Sequence, residues 1–243
     1  GLGAEIVDAL VDQGKISSPA DLYTLTAEDL LGMKLSGGGS LQALSVENLL
    51  SAISESKNPP LNRFIFSLGI RYVGESTAKS IADFYGTLEN FRKTSRWTPC
   101  LIKDVGVEVA TSIWNFFSEE NNKKILDKFI VLGVCASKAA PMAGKYVGFE
   151  NLLLTIKKVD LATSPKKQGV LSGVGGKQIA QVCEDFKNPA DLLNANISKI
   201  DVNSDCVLKF IGLLSSPEWR DVPGELESLG ILWCSNIGGV EVK

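Results

Sequence analysis

Apolar residues along most of this chain recur at the spacing of a helix rather than that of a strand. After Gly106, residues Val109, Ala110, Ile113, Trp114 and Phe117 fall on one face, and Ile125, Phe129 and Leu132 form a second stripe that Gly133 stops as a left-handed cap. Ser18-Pro19 and Thr26-Ala27-Glu28-Asp29 place acidic side chains just after a hydroxyl cap, which predicts helix starts there. No segment alternates convincingly with a period of two. The pattern therefore predicts an all-α fold of short helices and tight turns, with Trp114 and Phe117 in the core and Trp97 packed against a neighbouring helix.

Glycine punctuates these helices repeatedly. Residues 47–91 read as two helical stretches joined through Gly69-Ile70-Arg71-Tyr72-Val73-Gly74, and similar joints at 1–3, 37–39, 104–106, 173–176 and 201–203 bring the number of hairpins to six, arranged in pairs. Asp104-Val105-Gly106, Ala110 and Leu132-Gly133-Val134 recur at an offset of 97 as Asp201-Val202-Asn203, Val207 and Leu229-Gly230-Ile231. Gly74, Ala78, Phe84 and Glu89 pair with Gly176, Ala180, Phe186 and Asp191 at an offset of 102. Pro19-Ala20-Asp21-Leu22 also returns as Pro189-Ala190-Asp191-Leu192.

This organisation predicts a four-motif unit at 1–137 and a linker at 138–150, where periodicity lapses into small residues and proline. A degenerate second unit at 151–234 and a flexible tail at 235–243 complete the division. Pro59-Pro60 reads as a bend inside the first unit, since proline lacks an N–H and fixes φ. Ser36-Gly37-Gly38-Gly39-Ser40 reads as either a loosened hairpin or a flexible insertion, the insertion being favoured.

With 243 residues, 44% hydrophobic and 22% charged, the chain has enough apolar surface for one or two cores. No apolar run approaches the roughly 20 residues of a membrane-spanning helix, and no basic leader precedes an apolar stretch, so the expectation is a protein that is soluble, intracellular and without a membrane partner. A start at Gly1 rather than Met suggests a piece cut from a longer protein. Histidine is absent, and the five cysteines lack Cys-x-x-Cys spacing, which argues against a zinc site and for buried thiols in a reducing compartment. The net charge of −3 is uneven: residues 1–58 hold three basic and eight acidic side chains, 59–137 hold ten and eight, and 138–243 hold twelve of each.

The basic excess surrounds the 69–74 hairpin, which is built to present backbone to an anion. Glycine allows positive φ and close approach, and a helix opening at Glu75 offers unpaired N–H groups and a positive dipole end. Such a loop donates to phosphate oxygens without reading base edges, so the chemistry is sequence-independent duplex binding. Gly69, Arg71, Gly74 and Thr77 combine glycines, a cation and a helix start. Gly106 repeats the arrangement, as do Gly173, Gly175 and Gly176, while Arg63, Lys79, Lys103 and Lys177 stand ready to add charge-assisted contacts.

At these residues the chain resembles the helix-hairpin-helix domain of bacterial-type NAD-dependent DNA ligases, over residues 1 to about 135. The resemblance is carried by GLG at 1–3, ADLYTLTAEDLL at 20–31, the long stretch at 47–86 and VGVEVATSIWNFF at 105–117. It implies four such motifs clamping nicked double-stranded DNA, with a clamping role for Gly1, Gly3, Gly69, Arg71, Gly74, Thr77 and Gly106. It also implies partner ligase domains in a longer chain, to which NAD and a divalent metal would belong, and a place in replication or repair. The sequence departs from the family's pattern at 35–45, where LSGGGSLQALS replaces a Gly-Phe-Gly-Glu-Lys-Ser-like hairpin. Asp104 stands where proline or glycine is common, and helical hairpins follow residue 137 where a BRCT domain is usual.

The adenylation signature Lys-x-Asp-Gly does not occur; Lys34-Leu35-Ser36-Gly37 lacks the acid. With neither histidine nor a carboxylate tied to a nucleophile, the chain offers no machinery for covalent chemistry. The reading is a non-catalytic, cofactor-free DNA-binding region, all-α and built from tandem SAM-like helix-hairpin-helix units. A helical protein-interaction scaffold is the alternative, and a nuclease or glycosylase docking through the same hairpins lacks an active site.

Overall fold

The structure is a computed structural model and describes residues 2–134, 146–196 and 204–234. Its helices are short because turn residues interrupt each apolar stripe within a few turns. At the front lie α1 (Ala4–Asp12), a 3-10 helix (Pro19–Thr24), α2 (Ala27–Leu30) and α3 (Ala43–Glu55). Next come α4 (Leu61–Ser67), α5 (Glu75–Tyr85), α6 (Leu88–Arg92), a second 3-10 helix (Thr98–Leu101), α7 (Val107–Ser118) and α8 (Glu120–Val131). The remainder holds β1 (Tyr146–Gly148), α9 (Phe149–Thr163), α10 (Gly176–Asp185), α11 (Pro189–Leu193), α12 (Ser204–Leu214), α13 (Val222–Ser228) and β2 (Leu232–Cys234).

Among the described residues the elements are mostly helical, and the strands are the parallel pair β1 and β2, with Val147 opposite Trp233. Three residues are too few for alternation to register. The pair nonetheless ties the start of α9 to the end of α13, as a parallel connection requires a long crossover. It also shortens the expected 138–150 linker, because residues 146–150 belong to β1 and to the first turn of α9. The 235–243 tail and the 201–203 hairpin lie outside the described residues.

Two apolar clusters hold the elements together, and their boundary differs from the one expected at residue 137. Ala9, Leu10, Ile16, Leu30, Met33, Leu41, Val46 and Leu49 form a small front cluster. A larger one runs from Ala20 and Phe64 through Leu126 and Val147 to Ile231, so the second unit shares its core with the first rather than standing as a separate domain. Apart from Ala20 of the first 3-10 helix, which joins the larger cluster, the change of cluster falls between α3 and α4, where Pro59 and Pro60 prevent the helix from continuing. Edge-on aromatic pairs fix the junction: Phe129 of α8 meets Phe64 at 5.5 Å and Tyr23 at 6.0 Å.

Polar ties reinforce it. Asp21 accepts hydrogen bonds from the Ser17 and Ser18 backbone N–H groups at 2.8 and 2.7 Å, and Lys128 of α8 pairs with its other oxygen. These contacts hold the Asp21 carboxyl well below the usual carboxylate range, the Lys128 contact first. Across the two units, Glu225 accepts from Ser95 N–H at 2.8 Å and Thr98 Oγ1 at 2.6 Å, although burial pushes its pKa up.

The internal repeat is real in three dimensions, with a register correction. At offset 97, Ala110, Ile113, Phe129 and Val134 match Val207, Phe210, Leu226 and Ile231, all buried. Gly133 and Gly230 end α8 and α13 in the same left-handed cap, at φ 71 and 70. The other offset is 101 rather than 102. Gly74 and Gly175 are the helix N-caps, and the buried Ala78, Ile81 and Phe91 match Ile179, Val182 and Leu192. Pairing alanine with alanine misaligned the repeats, because Ala180 is exposed. Trp97 is buried as expected, whereas Trp114 is 39% exposed, one position round the helix from the Ala110–Ile113 stripe.

Candidate nucleic-acid interface

Three hairpins share one backbone turn. In each, a buried aliphatic residue accepts a hydrogen bond from the N–H of a buried valine three residues on: Val73 to Ile70 at 3.0 Å, Val105 to Ile102 at 3.1 Å, and Val174 to Leu171 at 3.1 Å. The residue before the valine is left-handed, with φ 67 at Tyr72, 64 at Asp104 and 84 at Gly173, the sign a type II turn requires. The two aliphatic side chains anchor the loop in the core and turn its tip outward. A glycine follows as N-cap, and a helix begins.

Those N-cap glycines are the informative residues. Gly74, Gly106 and Gly175 have φ of −84, −98 and −89, an extended backbone open to any residue, and so does Gly3 at −85. A Cβ added at Gly3, Gly74 or Gly106 would meet nothing within 4 Å, and at Gly175 only a Gln178 oxygen at 3.8 Å. Neither conformation nor internal packing asks for glycine there. Gly74 therefore does not use the positive φ that glycine allows, and what its missing side chain leaves is clear access from outside. Gly69 does take positive φ, at 66, ending α4 as a left-handed cap. No side chain caps α5 or α7. Their first intrahelical bonds run from Ala78 to Gly74 and from Ala110 to Gly106, leaving the N–H groups of residues 75–77 and 107–109 to point outward.

The hairpins are not equally available. The Gly175 N–H is taken by Gln178 Oε1 at 2.8 Å, so the third loop caps itself. Lys157 binds the Val174 carbonyl, and buried Asp160 binds the Leu171 and Val170 N–H groups at 2.8 and 3.2 Å, stiffening that loop from within. Gly176, at the first helical position of α10, is not the cap that the sequence match made it. Residues 35–40 form a closed hairpin rather than a flexible insertion, with Leu35 N–H bound to Gly39 O at 2.8 Å and Lys34 bridged to Ser40. Its Gly37 N–H is occupied by the Glu5 carboxylate at 2.8 Å.

Of the other candidate residues, Arg63, Arg71, Lys79, Lys103 and Lys177 are exposed and Thr77 is half-buried on the first turn of α5; Gly1 lies outside the described residues. Exposed Glu75, Asp104 and Glu108 stand beside the same tips, so the local field is mixed and the placed amides matter more than general charge. Asp104 is one of the few non-glycine types that tolerates its left-handed backbone. Sequence reasoning missed the exposed aromatics near the first of these hairpins, Phe66 at 46% and Tyr72 at 54%. Phe66 lines an open cavity of about 340 Å³ with Asn62, Arg63 and Glu75.

The described residues also include cysteines and carboxylates away from the hairpins. No cluster of His, Cys, Asp or Glu with metal-holding geometry occurs among them. Burial pushes the Cys100 and Cys183 thiols up to about 11 and raises Cys206 as well, which disfavours their thiolate forms at neutral pH. No helix there is long and apolar enough to cross a membrane.

Residues 63–126, which include the first two of these three loops, match a family model described as a helix-hairpin-helix motif. A DNA ligase of Pseudomonas putida (strain ATCC 700007) is 31% identical over 238 residues, 97% of this chain and 29% of the ligase. A DNA ligase of Pseudomonas aeruginosa (strain LESB58) is 40% identical over 163 residues, 66% of this chain and 20% of the ligase. Residues 63–126 thus form a helix-hairpin-helix motif, and the chain as a whole is similar to a segment of bacterial DNA ligases. It spans about three tenths of the length of the P. putida relative, and that alignment runs through the second unit as well as the first. The similarity to that ligase therefore extends past residue 137.

Proposed function

We propose that this helix-hairpin-helix region binds duplex DNA through its phosphate backbone, without base readout, and serves as the non-catalytic clamping segment of a longer DNA ligase. One observation carries the reading: helix-capping glycines whose backbone is ordinary and whose missing Cβ leaves open space, placed beside unpaired amide donors. Such a surface suits a phosphodiester, which brings acceptor oxygens close to backbone and completes the N-terminal donors of α5 and α7. Arg63, Arg71, Lys79 and Lys103 add charge around it. The 69–74 and 102–106 hairpins lead, while the self-capped third hairpin contributes less and the Glu5-filled 35–40 hairpin least.

The resemblance to ligases supports a nicked duplex as the preferred form, an intracellular role in replication or repair, and NAD and a divalent metal acting in other parts of the parent protein. Salt titration tests the core of this. Neutralising about two to four phosphates predicts that affinity for a short nicked duplex falls roughly tenfold or more between about 50 and 200 mM salt. Gly74→Glu, which puts a carboxylate where the phosphate sits, should weaken binding strongly while leaving the circular dichroism melt intact. Affinity that ignores both salt and Gly74→Glu would instead favour a protein-interaction scaffold.

A further inference from the structure

Tyr72 is in the wrong place for a residue chosen by the fold alone. Its φ of 67 is a conformation that bulky side chains rarely adopt; the equivalent position in the third hairpin is Gly173 and in the second is the small Asp104. The ring is 54% exposed, so burial does not compensate for the strained backbone. The Arg71 guanidinium stacks over it, with its central carbon 4.9 Å from the ring centroid, which holds ring and cation together at the tip. Phe66, 46% exposed near the end of α4, is a second exposed aromatic side chain on the same motif.

We propose that Tyr72, buttressed by Arg71, is a wedge that enters the minor groove and makes binding depend on how easily the duplex opens there. This rests on the phosphate-binding reading above. A loop whose amides hold a phosphate brings its tip to the groove edge, and a minor groove about 6 Å wide admits a ring edge and a guanidinium but little more. Inserting an aromatic side chain costs stacking, and that cost is least at a nick or another deformable step. The ligand class is therefore duplex DNA with a break or a flexible step, and this hairpin is the discriminating one of the set.

The test compares intact and nicked duplexes of one length, by fluorescence anisotropy on the 243-residue chain, with Tyr72→Gly, Tyr72→Phe and Gly74→Glu. Tyr72→Gly is expected to lose roughly five- to tenfold on the nicked duplex, the scale of one lost aromatic contact, and to bring the nicked-to-intact ratio toward one. Its salt dependence should match that of the parent, and its melting temperature should stay level or rise because strain is relieved. Tyr72→Phe should keep the ratio. Parental affinity and ratio in Tyr72→Gly, with binding lost in Gly74→Glu, would overturn the wedge and leave the phosphate reading standing; a parental ratio of one would do the same. Parental binding in Gly74→Glu would overturn both.

Discussion

Replacing Gly74 and Gly106 with alanine separates what the fold needs from what a ligand needs. At both sites φ is negative and a methyl group meets nothing within 4 Å, so no clash or strain follows. Alanine is a poorer N-cap than glycine by about 0.5–1 kcal/mol, while losing glycine's freedom in the unfolded chain returns about 0.4–1 kcal/mol. Each change should therefore leave stability within about 0.5 kcal/mol of the parent, or under ~2 °C in melting temperature for a chain of this size. Binding has no such offset. A methyl group between the loop and a phosphate removes at least one charge-assisted hydrogen bond, worth about 1.5–3 kcal/mol, or about ten- to a hundredfold in affinity. Anisotropy with a nicked duplex and circular dichroism melts on the same samples read both quantities. Unchanged affinity with an unchanged melt would show that these loops do not meet phosphate, and a melt lowered by ~5 °C or more would show that the fold itself needs the glycines.

Gly173→Ala forces a side chain onto φ 84 and should cost about 1–2 kcal/mol in a denaturant titration, whereas Gly175→Ala, at φ −89, should cost almost nothing. Gly169→Ala would place Cβ 2.1 Å from Asp160 Oδ2, so it should destabilise by about 2 kcal/mol or more and speed hydrogen exchange at the Val170 and Leu171 amides that Asp160 binds; parental exchange there would contradict the assignment. Asp21, held below the usual carboxylate range, contributes stability that is present above about pH 4 and drains away as pH falls toward its folded-state value; Asp21→Ala should be less stable at neutral pH and lose less on acidification. Glu225, raised by burial, works in the opposite direction. Its stability contribution is full below the ordinary glutamate value and declines as pH rises through the raised one, so Glu225→Gln, which still accepts from Ser95 and Thr98, should flatten that decline in melts across pH.

Much of the architecture was legible because local rules dominate short helices. Capping residues, the Gly133 stop and the repeat at offset 97 all reappear in the structure, since each depends on residues a few positions apart. The shared core was not legible. A lapse in periodicity after Ala136 says nothing about packing between Glu225 and Ser95, which are 130 residues apart. The misplaced repeat register has a similar origin: residue identity favoured Ala180, and only burial shows that Ile179 is the one facing inward.

At the candidate interface, the glycines that punctuate the sequence differ in backbone conformation. Gly69 and Gly173 take the positive φ that a turn glycine suggests, yet in the first two hairpins the left-handed turn residue is Tyr72 or Asp104 while Gly74 and Gly106 are extended. The occupied amides were also hidden, because Gln178 capping Gly175 and Glu5 reaching Gly37 depend on side-chain placement that spacing does not encode. The self-capped and carboxylate-filled loops explain how chemically similar glycines come to differ in their readiness for a ligand.

The claim that loop amides meet phosphate is tested most directly by titrating the isotope-labelled chain with a nicked duplex and following each backbone N–H by nuclear magnetic resonance. The amides of residues 75–77 and 107–109 should shift first and furthest, with the Gly175 and Gly37 amides moving less. Shifts that leave both sets unmoved while gathering on another face of the protein would contradict the account.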